Sequence, residues 1–562
     1  MFSKIQMRVV PLLVTLLVVT VLVLAACGPT ATPVPTEQPA AQVPTAAPGA
    51  ATSPTAVPVT APKVLSIGMH REFGSLDPAA YEGEPEGMAV GVVFDRLVCI
   101  GFDKQYHEWL AKSWEVSPDG LVWTFHLRDD VTFHDGTPFN AEAVKFHLDR
   151  AVDPATKSQR AGDLLSMYAS SEVVDPTTIK VTLKEPYAAF LDALSQPNLG
   201  IPSPTAVEQW GAAFEDHLVG SGPFKFVEWQ RQNFLKLERN DAYAWGPACA
   251  ENQGPSYLSE LVFKFIPEIE TREALLDRGE EIQVVYFPSP GGVERWSADP
   301  EHFTVISVVD PGAPWLNTIN TAKPPTDELA VRQALNYAVD RETIVNTLLK
   351  GITEPTSNLL TPSTLYYNPD AGSQYTYDPE KAKALLEEAG WVDSNSDGIR
   401  EKNGVNLEVE IFRRAGFQKE SYTEIVCSEL QAVGFSCKMI EGTHPQRTEF
   451  GKSGKYHMVG IAQEQYDPSF LTLWFHSSQV DAFNFAKVQN PELDAVLERA
   501  DAAMDPAERE AAVFEAQKII MDNAYVLPFH APYQMFITTS NVVGLKPDLN
   551  AWYPYWQDVD LS

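Results

Sequence analysis

The sequence predicts an α/β protein, because segments with the two-residue period of strands alternate along the chain with segments of helical period. The clearest case runs from "NLEVEIF" (406–412) through "ESYTEIVCSELQAVG" (420–434) to "FSCKMIE" (435–441). A strand, a helix and a second strand in this order predict a parallel pair of strands. The chain has 562 residues, enough for two or three domains.

The other elements follow the same two periods. Further strands are predicted where apolar and polar residues alternate, at 122–128, 178–186, 224–229 and 233–240. Further helices are predicted where apolar residues recur every three or four positions, at 185–194, 327–350 and 379–390. In the long helix at 327–350 the apolar positions are Leu329, Ala334, Ala338 and Ile344, and Gly390 ends the next helix.

The N-terminal residues predict export. Lys4 and Arg8 precede an apolar run that ends at "LAAC" (24–27), which is typical of a secretory signal. The four residues resemble the lipobox of bacterial lipoproteins, which implies removal of residues 1–26 and acylation of Cys27. An uncleaved membrane anchor is the alternative, because the run is nearly long enough to span a bilayer. Both place the folded body outside the cytoplasm.

Residues 27–62 predict a stalk. The segment is rich in Pro, Thr and Ala, with no large aromatic side chain and almost no charge. It cannot bury enough apolar surface to offset the entropy of folding, and its prolines keep it extended. The folded body that follows is acidic, since the chain carries a formal net charge of −33. We therefore expect no nucleic-acid partner.

Besides Cys27 the chain has four cysteines, Cys99, Cys249, Cys427 and Cys437. Outside the cytoplasm they permit disulfides in three connectivities. Cys427 and Cys437 close the shortest loop and are the favoured pair. None of the cysteines has the CxxC spacing of a zinc ribbon.

One acidic stretch, "LRDDVTFHDGTPFNAEAV" (127–144), raises the question of a catalytic centre. Each acidic residue has a structural explanation, because Asp130 follows a strand, Asp135 opens a Gly–Pro turn and Glu142 follows the helix cap Asn140. His134 is expected to point outward. The stretch therefore predicts a strand, a turn and a helix start.

No metal or cofactor site is expected. Residues 393–404 begin like a calcium-binding loop, but Gly404 stands where a bidentate Glu should close the cage. A turn between helix and strand is the favoured interpretation, with calcium as the alternative. The histidines are dispersed, without metal-ligand spacing.

Several blocks of the sequence resemble those of the solute-binding proteins of peptide, nickel and related ABC importers. The signature is "AKSWEVSPDGLVWTFHLRDDVTFHDGTPFNAEAVKF", and "LVGSGPFKFVEWQRQNFLKLERNDAY", "DELAVRQALNYAVDRETIV" and "YDPSFLTLWFHS" follow in the family's order. The resemblance implies a large, two-lobed periplasmic-binding-protein-like clamp of type II, with a domain inserted in the first lobe. On this model lobe I comprises 63–105, 220–312 and 527–562, the insert 106–219, and lobe II 313–526. The insert would then lie away from the ligand.

The resemblance also implies a ligand site. Gly83 and Glu84 match a loop whose backbone pairs with a bound peptide, and Gly460 and Ala462 match the opposing edge. Glu464 takes the place of an aspartate that pairs with the ligand's amino terminus, although a surface-facing Glu464 is the alternative.

Four further residues are weaker candidates for the cleft. Arg413 and Arg414 follow a strand and could bind a ligand carboxylate, or simply be solvated at the strand end. Trp474 and Asn484 are also candidates, and Trp474 is alternatively part of the core.

The expected function is that of a monomeric, lipid-anchored binding protein. It would capture peptides or other small solutes, present them to the transmembrane permease of an ABC importer, and catalyse no reaction. Because Ile461 stands where peptide binders often carry Trp, an oligosaccharide or a nickel chelate is an alternative ligand. A secreted hydrolase using paired carboxylates and a surface scaffold or sensor are alternatives from other classes.

Overall fold

The computed structural model describes residues 62–562 except 82, 159, 416–419 and 550–552. For Glu84 it describes the backbone but not the side chain. The predictions for the signal, for Cys27 and for the stalk up to residue 61 lie outside these residues. Among the described residues, no helix combines the length and the apolar composition needed to cross a bilayer.

The strands in the described part of the chain are, in order, β1 Val64–Met69, β2 Val98–Ile100, β3 Tyr106–Glu108, β4 Ala111–Val116, β5 Val122–Leu127, β6 Tyr168–Asp175, β7 Thr178–Leu183, β8 Phe224–Gln230, β9 Phe234–Arg239, β10 Glu260–Phe265, β11 Val284–Tyr286, β12 Phe303–Val309, β13 Gly312–Ile319, β14 Glu401–Lys402, β15 Val405–Asn406, β16 Glu408–Arg414, β17 Ser436–Gly442, β18 Met458–Glu464, β19 Val526–His530, β20 Tyr533–Thr539, β21 Val542–Val543 and β22 Asp560–Leu561.

The helices of the same part are α1 Glu84–Val93, α2 Ala141–Val152, α3 Arg160–Leu164, α4 Phe190–Ser195, α5 Pro204–Trp210, α6 Ile269–Arg278, α7 Pro290–Ser297, α8 Leu329–Ala338, α9 Arg341–Leu348, α10 Pro379–Glu388, α11 Tyr422–Ala432, α12 His444–Ser453, α13 Phe470–Phe475, α14 Pro491–Ala502 and α15 Pro506–Asp522.

Three larger sheets organise these strands. Sheet A has the order β12-β20-β11-β1-β10-β9-β8, sheet B the order β17-β16-β18-β13-β19, and sheet C the order β4-β5-β7-β6. Sheet C comes from the chain between β1 and β8, so it is an insertion within the sequence that builds sheet A. Each sheet has its own buried apolar cluster, so each can support its own layer of helices.

The predicted strand–helix–strand unit is confirmed in sheet B. β16 pairs with β17 in parallel, with Glu408 opposite Ser436, and α11 connects them. β16 also pairs with β18 in parallel. The carboxyl ends of these three strands therefore lie along one edge of sheet B.

The chain crosses between sheets A and B at two adjacent points. β12 passes to β13 through Asp310 and Pro311, and β19 passes to β20 through Ala531 and Pro532. The backbone N–H of Asp310 donates to the Pro532 carbonyl at 3.0 Å, which holds the crossings together. The predicted boundaries are shifted, because β13 begins at 312 and residues 527–530 pair within sheet B.

The long helix predicted at 327–350 is wrong as one element. The structure has α8 and α9, and Asp340 between them accepts hydrogen bonds from the backbone of Glu342 and Thr343. A carboxylate that caps a new helix favours a break over continuation.

The acidic stretch at 127–144 forms the predicted elements. β5 buries Trp123, Phe125 and Leu127, and the Asn140 side chain accepts the Ala143 N–H at the start of α2. His134 does not point outward, because its Nε2 lies 2.9 Å from the Gly222 carbonyl oxygen. Burial lowers the His134 pKa to about 4, so the neutral ring joins the inserted region to the segment that leads into β8.

Two disulfides are present in the part of the chain that the structure describes. Cys427 is bonded to Cys437, the pair favoured by the sequence, and Cys99 is bonded to Cys249. The second bond closes a loop with a sequence separation of 150 that contains all of sheet C.

Loss of the disulfide that closes the longer loop should destabilise the protein more than loss of the disulfide that closes the shorter one. By the chain-entropy relation, Cys99→Ser with Cys249→Ser should cost about 5 kcal/mol of unfolding free energy, and Cys427→Ser with Cys437→Ser about 3 kcal/mol. Denaturant unfolding of the two double variants measures the difference. Equal losses would show that the loop constraint does not set these contributions.

Candidate ligand-binding site

The edge of sheet B where β16, β17 and β18 end presents the side chains expected at a binding cleft. Arg414, Gly442 and Glu464 are the last residues of these strands. In open α/β sheets, ligands bind in the crevice outside the carboxyl ends of the strands. This edge also receives the first crossing, since Gly312 pairs with Glu464.

A cavity of about 210 Å³ lies at this edge. Its lining combines the loop before α1, the inserted region, the first crossing, the end of β18 and the C-terminal segment. The lining residues are Tyr81, Gly83, Arg160, Gln196, Asn198, Pro311, Gln463, Glu464, Gln465 and Tyr553. The cavity is therefore lined by parts of the chain associated with all three larger sheets.

Two of the predicted site residues line this cavity, Gly83 and Glu464. Gly460 and Ala462 precede Glu464 at alternate positions of β18, and alternate residues of a strand share one face. Glu84 is the first residue of α1, next to Gly83.

The loop at Gly83 is shaped by a buried carboxylate. Glu86 accepts hydrogen bonds from the Arg71 guanidinium at 2.7 and 2.9 Å and from the Gly74 N–H at 2.7 Å. A Cβ at position 83 would come within 2.4 Å of Arg71 Nη2 and 2.6 Å of Glu86 Oε2. A side chain at position 83 would therefore require the ends of the Arg71 and Glu86 side chains to shift.

Glu464 is positioned by an equally close backbone contact. Gly312, its partner on β13, has φ +112°, and a Cβ there would lie 1.9 Å from the Gln463 carbonyl oxygen. A side chain at 312 would thus displace the strand end that carries Glu464.

Arg413 and Arg414 already have protein partners. Arg413 binds Glu424 at 3.1 Å and also pairs with Glu441. The Arg414 Nε donates to buried Glu420 at 2.8 Å. Neither arginine is among the residues that line the cavity.

Trp474 and Asn484 lie in the interior. Trp474 is 2 % exposed and belongs to the apolar cluster beside sheet B. The Asn484 amide is buried and bonds the backbone of Val488, with its Nδ2 at 2.9 Å from the carbonyl oxygen. The structure therefore assigns both a packing role, which corrects their placement in the cleft.

The sequence reasoning missed the contribution of the inserted region. Arg160, Gln196 and Asn198 all belong to residues 106–219, which were expected to lie away from the ligand. Arg160 begins a five-residue helix, and no motif distinguishes it from a surface arginine. Only the tertiary packing of sheet C against the cleft reveals its position.

Arg447 is a second arginine that the sequence reasoning missed. Burial and neighbouring Arg414 lower its pKa to about 10, while the charges of Glu420 and Glu464 act in the opposite direction. Its Nε is enclosed without a hydrogen-bond partner among the described residues. Arg447 thus adds positive potential behind Glu464.

The cavity offers groups of both charges. Glu464 supplies a carboxylate and Arg160 a guanidinium, while amide groups come from Gln196, Asn198 and Gln463. Burial raises the pKa of Tyr81 well above its ordinary value and also raises that of Tyr553. Their hydroxyls are therefore neutral and able to donate or accept hydrogen bonds.

The loop at 393–404 forms a turn. Asp393 accepts the N–H groups of Asp397 at 3.2 Å and Gly398 at 3.0 Å, so backbone amides surround its carboxylate. Within the described ranges, no group of three or more His, Cys, Asp or Glu side chains is arranged to hold a metal ion.

Two α/β sheets joined by paired crossings, with a polar cavity between the parts they organise, define a two-lobed ligand-binding clamp of type II. The chain belongs to family 5 of the bacterial extracellular solute-binding proteins, whose middle-region model matches residues 105–482. Members of this family are the substrate-binding components of ABC importers.

Individual relatives cover nearly the whole folded body. The chain is 29 % identical over 503 residues to the glutathione-binding protein GsiB of Salmonella typhimurium, covering 88 % of this chain and 94 % of GsiB. NikA from Brucella suis in complex with Fe(III)-EDTA superposes with a TM-score of 0.79 and 27 % identity, covering 89 % and 100 % of the two chains. DppA from Helicobacter pylori in complex with the peptide STSA superposes with a TM-score of 0.70 and 26 % identity, covering 89 % of this chain and 98 % of DppA.

Proposed function

We propose that the protein captures small zwitterionic peptides or peptide-like solutes and presents them to an ABC permease. The observation that carries this proposal is a cavity lined by both Glu464 and Arg160. Glu464 would receive the ligand's ammonium group and Arg160 its carboxylate. The charged ends of a ligand that leaves water for the cavity require partners of opposite sign.

The cavity volume favours a short ligand. At about 210 Å³ it is smaller than the roughly 300 to 1,000 Å³ of pockets that hold drug-sized molecules. Gly83, Gly460 and Ala462 would supply backbone groups to the ligand's main chain. Two relatives bind ligands of this size class, because GsiB is a glutathione-binding protein and DppA is in complex with the peptide STSA.

The clamp would work as a monomer tethered by lipid on Cys27 to the outer face of the cell membrane. The segments around sheets A and B would be its lobes, and the crossings at 310–311 and 531–532 its hinge. As a binding protein it would catalyse no reaction. A hydrolase, the alternative, would instead turn over the solute that it binds.

A metal chelate is the second candidate ligand, supported by the structural similarity to the Fe(III)-EDTA complex of NikA. Arg160 could bind a carboxylate of such a chelate equally well. Native mass spectrometry of the purified full chain, followed by denaturing analysis of what is released, tests the two. Release of peptides would support the first proposal. Release of a metal chelate or a sugar would contradict it and identify that solute as the ligand.

Arg160→Gln should weaken peptide binding by removing a charge-assisted hydrogen bond. We expect a loss of about 1.5 to 3 kcal/mol, or roughly tenfold to 150-fold in Kd, measured by titration calorimetry with trialanine. Trialanine amide, which lacks the carboxylate, should bind both proteins alike. Arg128→Gln is the matched control, since Arg128 pairs with exposed Asp130 elsewhere in the inserted region.

A further inference from the structure

A buried carboxylate stands where the inserted region meets the part of the chain built on sheet B. Asp192, on α4, is 1 % exposed, and among the described residues no side chain donates a hydrogen bond to its carboxylate oxygens. A buried carboxylate with no cationic side chain in direct contact is costly when ionised, so a specific surrounding must explain it.

The contact between the two regions is direct. The Ala188 N–H donates to the Asp501 carbonyl at 3.0 Å, and the Tyr187 hydroxyl donates to Ser469 Oγ at 3.2 Å. Met504 also packs against the apolar cluster of sheet C. Opening the clamp between these regions would break these contacts and expose Asp192 to water.

The charged neighbours of Asp192 have opposing effects. Asp467, which is fully buried and bound by Arg509 at 2.6 and 2.9 Å, disfavours a second negative charge. Arg509 and the cavity residue Arg160 favour that charge. Burial is the largest influence and Asp467 the next, so the pKa of Asp192 lies well above that of an ordinary carboxyl group.

Three tyrosines also interact electrostatically with Asp192. They are Tyr106 on β3, Tyr187 before α4 and Tyr466 after β18. Burial raises the pKa of each, so none of them ionises near neutral pH. Asp501, whose backbone carbonyl accepts the Ala188 N–H, is a second carboxyl group at this contact, and burial raises its pKa to about 6. Asp192 and Asp501 are therefore the carboxyl groups whose protonation sets the charge here, and the test must separate them.

We propose that Asp192 is a proton-controlled latch, which closes the clamp over its ligand when protonated and weakens the closed form when ionised. In the open form the solvated carboxyl group would ionise with an ordinary pKa of about 3.9. The closed form holds the proton more tightly. Its stability relative to the open form therefore falls as the pH rises above the pKa of the open form. For one proton the fall is at most about tenfold per pH unit.

Ligand binding would be linked to the same proton. This step rests on the proposed function, since it requires a ligand carboxylate on Arg160. Neutralising the Arg160 guanidinium would remove an interaction that favours ionised Asp192. An anionic group in the cavity would therefore promote protonation of Asp192 and bind more tightly at lower pH.

The latch itself can be tested without a ligand. Hydrogen exchange of the peptide containing Ala188, corrected for the intrinsic effect of pH, reports the contact in the full-length chain. From pH 5 to pH 8 the wild type and Asp501→Asn should lose protection, whereas Asp192→Asn and Asp192→Ala should not. Glu429→Gln is the matched control, because burial raises the Glu429 pKa to about 7 and its carboxylate accepts a hydrogen bond from Asp340, away from this contact.

Two results would overturn the latch: an unchanged wild type, or the same loss of protection in both Asp192 variants. Titration with reduced glutathione and trialanine between pH 5 and pH 7.5 tests the linkage to ligand. Affinity should fall with pH in the wild type and in Glu429→Gln, and stay level in Asp192→Asn. If neither probe binds, the proposed ligand class fails, while the exchange experiment still decides the latch.

Discussion

Glu464→Gln should weaken binding of a peptide with a free amino terminus by about 2 to 3 kcal/mol, or roughly 30-fold to 150-fold in Kd. The substitution keeps the shape of a side chain that lines the cavity and removes its charge. An ammonium group held in the cavity would then have lost its anionic partner, and hydrogen bonds to charged groups are the stronger ones. Calorimetric titration with trialanine measures the change.

The result has an internal control in the ligand. N-acetyl-trialanine carries no ammonium group, so Glu464→Gln should not weaken its binding. Glu441→Gln is the protein control, because Glu441 is exposed and pairs with Arg413 outside the cavity. Equal affinity of wild type and Glu464→Gln for trialanine would contradict the assignment of Glu464 to the amino terminus and leave the chelate reading open.

Arg509→Met should lower the free energy of unfolding by about 3 to 5 kcal/mol. Arg509 donates to both carboxylate oxygens of Asp467, and the two side chains are 6 % and 0 % exposed. Removal of the guanidinium leaves a buried carboxylate without its main partner. Urea denaturation near neutral pH measures the loss.

The surface pair of Arg499 and Glu515 provides the comparison. Arg499 lies on α14, the helix before that of Arg509, and both partners are about half exposed. Arg499→Met should cost no more than about 1 kcal/mol, because water solvates the remaining charge. Similar losses in the two variants would show that burial does not determine the contribution of Arg509.

Local patterns predicted the elements of this fold well. The alternation of Trp123, Phe125 and Leu127 identified β5, and Asn140 identified the start of α2, because both signals depend on neighbouring residues alone. The break between α8 and α9 was missed, since helical periodicity continues through it. The boundary near 527 was misplaced because strand pairing across the sheet, which no local pattern encodes, assigns β19 to sheet B.

The candidate site was only partly predictable. Gly83 and Glu464 could be found because they lie in sequence blocks that resemble a known family. Arg160 lines the cavity through the packing of the inserted region, and Trp474 is buried by helices remote in sequence. His134 shows the same limit, since its contact with Gly222 joins residues that a strand pattern treats as unrelated.

The Cys99–Cys249 bond has a consequence for the lifetime of the protein outside the cell. The loop it closes contains sheet C together with Arg160, Gln196 and Asn198 of the cavity wall. A protease that cuts once within this loop would produce two fragments still joined by a covalent bond. The nicked molecule would keep its binding wall attached to sheet A, so damage in the environment need not end its ability to capture solutes.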